Sequence, residues 1–215
     1  EASSSSGSYQ GPPQDGSRPG IFYVNAYDLK ARPRYAMESL YLHEATPGHH
    51  FQIALQRELT ELPAFRRFGG ETAYNEGWGL YAESLGKELG VYTDPAMYFG
   101  ALSAELWRSI RLVTDTGIHA KGWTRQQVLD FMYANSAVEP AVAISEAERF
   151  MAIPGQALAY KIGELKIREL RTRAEQALGP KFDLRAFHTE VLKDGSLPLG
   201  VLEAKIDRWI AAQAA

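Results

Sequence analysis

Leu42-His43-Glu44-Ala45-Thr46-Pro47-Gly48-His49-His50-Phe51-Gln52 holds three of the five histidines of this chain. A His-Glu pair with a second histidine nearby is typical of zinc hydrolases. In those sites two neutral imidazoles bind the metal, and the glutamate takes a proton from the attacking water. His43 is therefore a candidate metal ligand, and Glu44 is a candidate general base. Ordinary surface or capping histidines are the alternative.

The spacing departs from His-Glu-x-x-His, in which both histidines share one helix face. His49 lies six residues after His43, roughly 120° off that face. His50 is on the face but about 10.5 Å further along the axis. Pro47 lacks an N–H and clashes with the carbonyl four residues back, and Gly48 permits unusual backbone angles. We therefore expect the helix to break here and to bring His49, or alternatively His50, back toward His43.

A third ligand is expected from the segment Tyr74-Asn75-Glu76-Gly77-Trp78-Gly79-Leu80-Tyr81-Ala82-Glu83. Glu76 follows His49 by 76 − 49 = 27 residues, which is room for one helix, a turn and the start of the next helix. Glu83 lies seven residues further on the same helix face, where it can accept the second ring N–H of a ligating histidine. The alternative is a solvated acidic helix face.

Two later segments carry further candidates. One polar stripe at helical spacing consists of Arg108, Arg111, Asp115 and His119. If it faces the metal, either arginine can bind a substrate carboxylate, and His119 can donate to a developing oxyanion. An intrahelical salt-bridge ladder such as Arg111–Asp115 is the alternative. Tyr160 offers a hydroxyl for a tetrahedral intermediate, although tyrosine is also an ordinary core residue.

The composition is that of a soluble globular chain, with 215 residues, 45% hydrophobic and 23% charged. The net charge is 23 − 26 = −3 and there is no basic run, so we expect no nucleic-acid partner. No apolar stretch approaches the ~18 residues of a membrane span, so we expect no transmembrane segment. Cysteine is absent, so a metal must be held by His, Asp or Glu.

The order of elements is predicted to be mainly helical. Residues 1–20 are rich in Ser, Gly and Pro and are interpreted as a flexible arm, and residues 21–25 as one short strand. Residues 21–215 are expected to form a single domain. Periodicity predicts helices over 37–42, 51–58, 74–89, 95–119, 154–177, 184–192 and 199–212. Capping boxes at Thr124–Gln127 and Ser145–Glu148 predict two further helix starts.

Four motifs in this order resemble a known family: His43-Glu-x-x-Pro-Gly-His-His-x-Gln, Glu76-Gly-Trp-x-Leu-Tyr-Ala-Glu, Asp115-Thr-Gly-Ile-His and Pro154-Gly-Gln-Ala-Leu-x-Tyr-Lys. They resemble the bacterial domain of unknown function family 885, from about residue 9 to the end. The resemblance implies that the chain is the C-terminal, motif-bearing part of a longer protein whose N-terminal region packs against it. It also implies export to the periplasm or a lipoprotein.

That family is similar in outline to helical metallopeptidases of the gluzincin type. Those enzymes hold one Zn²⁺ with two histidines and a downstream glutamate. Carried over by position, the ligands are His43, His49 and Glu76, the general base is Glu44, and the oxyanion donors are His119 and Tyr160.

The fold expected from these observations is a mainly α, multi-helix catalytic domain of gluzincin type, with at most a short strand near its N-terminus. The expected function is hydrolysis of a peptide or small amide with one Zn²⁺ ion. Non-haem iron on the same His₂–carboxylate set is an alternative. A helical binding module with a structural or degenerate metal site is another.

Overall fold

The computed structural model describes residues 6–27, 29 and 32–214 and is mainly helical, which confirms the predicted mainly α fold; its gluzincin type stays a prediction. A two-stranded antiparallel sheet pairs β1 (Gly7–Gln10) with β2 (Ile21–Val24). The predicted flexible arm over residues 1–20 is therefore wrong for β1, because the backbone of Ile21–Val24 supplies hydrogen-bonding partners that composition does not reveal. Residues 1–5 of that arm lie outside the described residues.

The helices follow a 3₁₀ turn at Arg34–Ala36. In chain order they are α1 (Met37–Glu44), α2 (His49–Glu58), α3 (Ala64–Phe68), α4 (Thr72–Ser84), α5 (Pro95–Lys121), α6 (Arg125–Asn135), α7 (Pro140–Ala152), α8 (Gln156–Leu178), α9 (Leu184–Leu192) and α10 (Leu199–Ala214). A further 3₁₀ turn, Gly179–Lys181, separates α8 from α9. No helix in the described part of the chain is long and apolar enough to cross a bilayer.

Capping residues explain where several helices begin. Thr124 and Gln127 form the predicted capping box at the start of α6. The box predicted at Ser145 is wrong, because α7 already begins at Pro140, a residue favoured in the first helical turn. Gly155, with φ 81°, precedes α8 and allows the chain to turn into it. α4 ends five residues earlier than predicted, at Ser84 rather than at 89 (89 − 84 = 5).

α4 and α8 pack closely against each other, with glycine at the contact on both helices. A Cβ added to Gly77 would lie 2.4 Å from Gly163 Cα, and one added to Gly163 would lie 1.8 Å from the carbonyl oxygen of Ala73. Any side chain at either position would therefore separate the two backbones. This contact fixes Glu76, next to Gly77, against the stretch of α8 that carries Tyr160.

Two groups of buried apolar residues share α8. One joins it to α4, α9 and α10 and includes Tyr74, Trp78 and Leu170. The other joins its first turn, at Ala157, to α5, α6 and α7. Burial of these side chains is the main stabilising term, at about 1.5–3 kcal/mol for each large apolar residue. One group thus holds the first turn of α8, and the other holds its middle and end, from Ile167 to Leu178.

Candidate metal centre

The chain between α1 and α2 turns sharply at Pro47-Gly48, and the predicted helix break is confirmed. A Cβ on Gly48 would lie 1.9 Å from the carbonyl oxygen of His43, so the turn requires glycine. Trp78 Nε1 donates a hydrogen bond of 2.7 Å to the carbonyl oxygen of Pro47. This bond ties the turn to α4, the helix that carries Glu76.

Three side chains from α1, α2 and α4 converge on one point. His43 Nε2 lies 3.6 Å and His49 Nε2 lies 3.3 Å from Glu76 Oε2. The ligand atoms of the three residues all lie within 4.8 Å of one another. The two imidazole rings are nearly perpendicular, at 83°, with centroids 4.6 Å apart. The structure therefore brings together the three residues predicted as ligands, and their role as ligands stays a prediction.

The donor set fits a divalent metal of the zinc type. Glu76 Oε2 is buried and makes no hydrogen bond in the described part of the chain, and the same holds for His49 Nδ1. A buried carboxylate oxygen that has lost water and has no well-aligned hydrogen-bond donor is costly, and here only the two imidazole nitrogens lie beside it. A cation between this oxygen and two imidazole nitrogens would remove that cost. Two imidazoles and one carboxylate are a usual protein set for catalytic zinc.

Glu83 contacts the imidazole of His43 at Nδ1, the ring nitrogen that does not face Glu76. His43 Nδ1 lies 2.7 Å from Glu83 Oε1, which also accepts a 3.0 Å bond from Arg108. Ser39 Oγ donates to the other carboxylate oxygen. Because a carboxylate only accepts, His43 carries its N–H on Nδ1, which leaves Nε2 facing Glu76. Gly79 makes room for this ring, since a Cβ there would lie 2.7 Å from His43 Cε1.

The charges in this cluster are strongly coupled. Burial lowers the pKa of His43, but the carboxylates of Glu76 and Glu83 outweigh burial and raise that pKa to about 9. Burial acts to raise the pKa of Glu76, yet the neighbouring imidazoles of His43 and His49 hold it well below its usual value. Without a metal the cluster therefore holds a proton at neutral pH, which a cation would displace.

Glu44, the predicted general base, is the last residue of α1 and directly follows His43. Its side chain is buried, with 8% of its surface exposed. Within the described residues no hydrogen bond or ion pair engages its carboxylate, which leaves that group available for proton transfer.

Tyr160 also lies at the cluster. Its ring stacks on His43 at 6.0 Å between centroids and 23° between planes. The guanidinium of Arg111 lies 4.6 Å from the Tyr160 centroid, and Arg111 donates a 2.7 Å bond to Glu146 on α7. Burial and the charge of Glu76 raise the pKa of Tyr160, so its hydroxyl keeps its proton. A protonated hydroxyl beside the cluster is a potential hydrogen-bond donor to a substrate oxygen.

Other predicted residues lie elsewhere. His50 Nδ1 is 3.1 Å from the hydroxyl of Tyr9 on β1, so that ring faces the small sheet. His119 is exposed, and its Nε2 donates to the carbonyl oxygen of Phe150. It lies two helical turns, about 12 Å, beyond Arg111. This placement does not support an oxyanion role for His119. The guanidinium of Arg108 is bound to Glu83, which does not favour a substrate contact.

The alternative interpretation of the polar stripe on α5, an intrahelical salt bridge between Arg111 and Asp115, is wrong. Arg111 pairs with Glu146 across two helices. Asp115 Oδ2 instead accepts a 3.1 Å bond from the backbone N–H of Gly155, and only 2% of Asp115 is exposed. Asp115 therefore fixes the start of α8, from which Gln156 and Tyr160 project.

Sequence reasoning missed a network between α7 and α8. Gln156 Nε2 lies 3.1 Å from Glu76 Oε1 and 3.0 Å from the Tyr160 hydroxyl. Arg149 donates a 2.7 Å bond to Gln156 Oε1 and is held in turn by Glu146. The available signal was the four-residue spacing from Gln156 to Tyr160 in the Pro-Gly-Gln motif, which places both side chains on one helix face.

Glu146 should make stability depend on acid pH. Burial raises its pKa, but Arg111 and Arg149 outweigh burial and lower the pKa to about 2, from 4.5. A depressed folded-state pKa stabilises the protein above pH 4.5, and that stabilisation is lost as the pH falls toward 2. Glu146→Gln should therefore lower the free energy of unfolding by about 3 kcal/mol at pH 7 and by about 1 kcal/mol at pH 3. Urea unfolding at several pH values measures this.

The control for that experiment is Glu148→Gln on the same helix. Glu148 pairs with Arg125 at 2.9 Å, but both side chains are about half exposed, at 59% and 45%. Such surface pairs contribute little, so this variant should follow the wild type at every pH. If the free energy of unfolding of Glu146→Gln lies below that of the wild type by the same amount at pH 7 and at pH 3, the lowered pKa of Glu146 is contradicted.

The chain matches a family model described as "Bacterial protein of unknown function (DUF885)" over residues 1–206. No curated protein matches it. A solved structure described as a "putative lipoprotein" from Colwellia psychrerythraea is 47% identical, with a TM-score of 0.95, and the match covers 97% of this chain and 36% of that one. A "putative lipoprotein of unknown function" from Shewanella oneidensis is 27% identical, with a TM-score of 0.81, covering 92% and 38%. This chain thus spans little more than a third of either relative.

Proposed function

This chain belongs to the DUF885 family of bacterial proteins of unknown function, and we propose that it is a zinc-dependent hydrolase acting on peptide or related amide bonds. One observation carries the proposal. The ligand atoms of His43, His49 and Glu76 converge within 4.8 Å, and the carboxylate oxygen among them is buried without a hydrogen-bond donor. Two histidines with a glutamate from a following helix are similar to the gluzincin set.

The residues around this point have separate tasks in the proposed reaction. His43, His49 and Glu76 would hold the ion. Bound zinc supplies Lewis acidity toward a water molecule and a carbonyl oxygen. Glu44 takes the proton of the attacking water on its carboxylate and passes it to the leaving nitrogen, which general acid–base catalysis requires. The Tyr160 hydroxyl donates to the oxygen on which negative charge develops.

The remaining groups act on these residues. Glu83 keeps His43 in one tautomer and one orientation. The guanidinium of Arg111 lies over the Tyr160 ring and keeps it against the cluster. His43, Glu44, Glu83 and Arg111 are buried, and His49, Glu76 and Tyr160 are partly buried. This limits the access of bulk water and strengthens the electrostatic contacts. The arrangement suits polarisation of an amide carbonyl and proton transfer to its nitrogen.

Metal analysis of protein purified without added metal tests this function. We expect about one zinc per chain, and loss of hydrolysis of a mixed peptide pool after chelation, with recovery on adding zinc. Iron in the purified protein with an oxygen-dependent reaction would replace the hydrolase by the non-haem alternative. Failure of the metal-free protein to bind zinc in a titration would favour a helical binding module.

A further inference from the structure

We infer that Gln156 is a positioning residue with two effects. It occupies one carboxylate oxygen of Glu76, which leaves the other oxygen for a metal, and it orients the hydroxyl of Tyr160. The inference rests on the proposed metal site and concerns a residue that takes no part in the proposed reaction. It is carried by three hydrogen bonds that meet at one partly buried amide, and each bond has a direction fixed by chemistry.

The amide nitrogen of Gln156 has two N–H groups and two acceptors. Nε2 lies 3.1 Å from Glu76 Oε1 and 3.0 Å from the Tyr160 oxygen, so each N–H has one partner. Glu76 Oε1 is thereby occupied. Glu76 Oε2, which faces His43 and His49, is the oxygen that remains without a donor in the described structure. Gln156 thus favours an arrangement in which Glu76 would bind a metal through one oxygen, Oε2, rather than through both.

The same amide determines what the Tyr160 hydroxyl can do. Its oxygen accepts a hydrogen bond from Gln156, so its own hydrogen is directed elsewhere. The Tyr160 ring stacks on His43, which places the hydroxyl beside the cluster. Tyr160 therefore presents a donor to an incoming substrate oxygen, and without Gln156 it could instead donate to Glu76.

Arg149 fixes which way the Gln156 amide faces. Arg149 donates at 2.7 Å to Gln156 Oε1, and because a guanidinium has no acceptor, the amide oxygen must be on that side. The amide nitrogen then faces Glu76 and Tyr160. Glu146 holds Arg149 with bonds of 2.8 and 3.1 Å, so α7 supports the amide from behind.

A purely structural tie between α4 and α8 is the competing explanation. Those helices are already locked by the Gly77–Gly163 contact and by the apolar core around Tyr74 and Leu170. Loss of one amide should therefore leave the fold intact. The two explanations differ in what changes: a structural tie alters the stability of the metal-free protein, whereas a positioning residue alters how metal is bound.

The test is Gln156→Met, which keeps the side-chain length and removes both N–H donors. Zinc affinity is measured by competition with a chromophoric chelator. We expect zinc to bind about 10- to 100-fold more weakly, the usual effect of removing a residue that orients a ligand. The control is Gln126→Met, because Gln126 also donates to a carboxylate, Asp130 at 2.7 Å, but on the exposed face of α6. That variant should bind zinc as the wild type does.

Cobalt provides a readout that a structural role would not move. In Gln156→Met the freed Oε1 of Glu76 can join the ion, so Co²⁺-loaded protein should show weaker visible absorption as the coordination number rises. Gln156→Asn, which is too short to span Glu76 and Arg149, should shift zinc affinity in the same direction. If Gln156→Met fails to fold, the zinc affinity of Gln156→Asn tests the positioning role instead.

The outcomes separate this inference from the proposed function. If wild-type protein binds zinc and both Gln156 variants bind it within twofold with an unchanged cobalt spectrum, the positioning role is wrong and the metal site stands. If the wild type binds no zinc, the proposed function fails and the inference fails with it. Weaker zinc binding with a lower cobalt absorption supports both.

Discussion

Glu44→Gln is expected to lower kcat on a cleavable peptide by about 10²- to 10⁴-fold, the usual contribution of a general base, while zinc remains bound. Glutamine has nearly the same shape but cannot take a proton from water. In free energy of activation the loss is about 3–5 kcal/mol. Steady-state kinetics together with the zinc content of the same sample measure both quantities.

The matched control is Glu58→Gln. Glu58 is the exposed last residue of α2, so the same chemical change there removes a carboxylate away from the cluster. Its kcat should equal that of the wild type. Full turnover by Glu44→Gln would rule out this mechanism, even if zinc binding were confirmed.

His49→Ala is expected to weaken zinc binding by about 10²-fold or more, whereas His50→Ala should leave it unchanged. A metal-binding free energy of about 10 kcal/mol shared by three protein ligands assigns about 3 kcal/mol to each. His50→Ala is a matched control for His49→Ala, because the two residues are adjacent in the chain and the chemical change is the same. Only His49 faces Glu76, while the His50 ring packs edge-on against Tyr9.

Competition with a chelator measures the affinities of these two variants and of the wild type under the same conditions. Equal weakening in both would mean that disruption of the turn, rather than loss of a ligand, dominates. Weakening in His50→Ala alone would reverse the assignment and make His50 the second ligand.

Local backbone chemistry explains why part of the cluster could be predicted from sequence. A helix cannot continue through Pro47-Gly48, so a break between His43 and His49 followed directly from the residues. Glu76 was within reach because the intervening length fits one helix and a turn. These arguments need only the geometry of a few consecutive residues.

The residues that were missed or misplaced depend on contacts between distant parts of the chain. Gln156 meets Glu76 across 80 positions, and no local pattern encodes that pairing. The polar stripe on α5 was a correct helical pattern, but it extends about 16 Å from Arg108 to His119, far more than one site can use. β1 was missed because strand pairing with Ile21–Val24 outweighed a composition typical of an arm.

The hydrogen bond from Trp78 to Pro47 has a consequence for the way in which the proposed zinc ion would bind and leave. It joins the turn between His43 and His49 to α4, the helix that carries Glu76. The three candidate ligands are therefore brought together by folding, before any ion binds. Little main-chain entropy is then lost when an ion arrives, in contrast to zinc fingers, which are unfolded until loaded. On the proposed function, we therefore expect the protein to release and rebind zinc without unfolding, so that its activity would follow the concentration of free zinc.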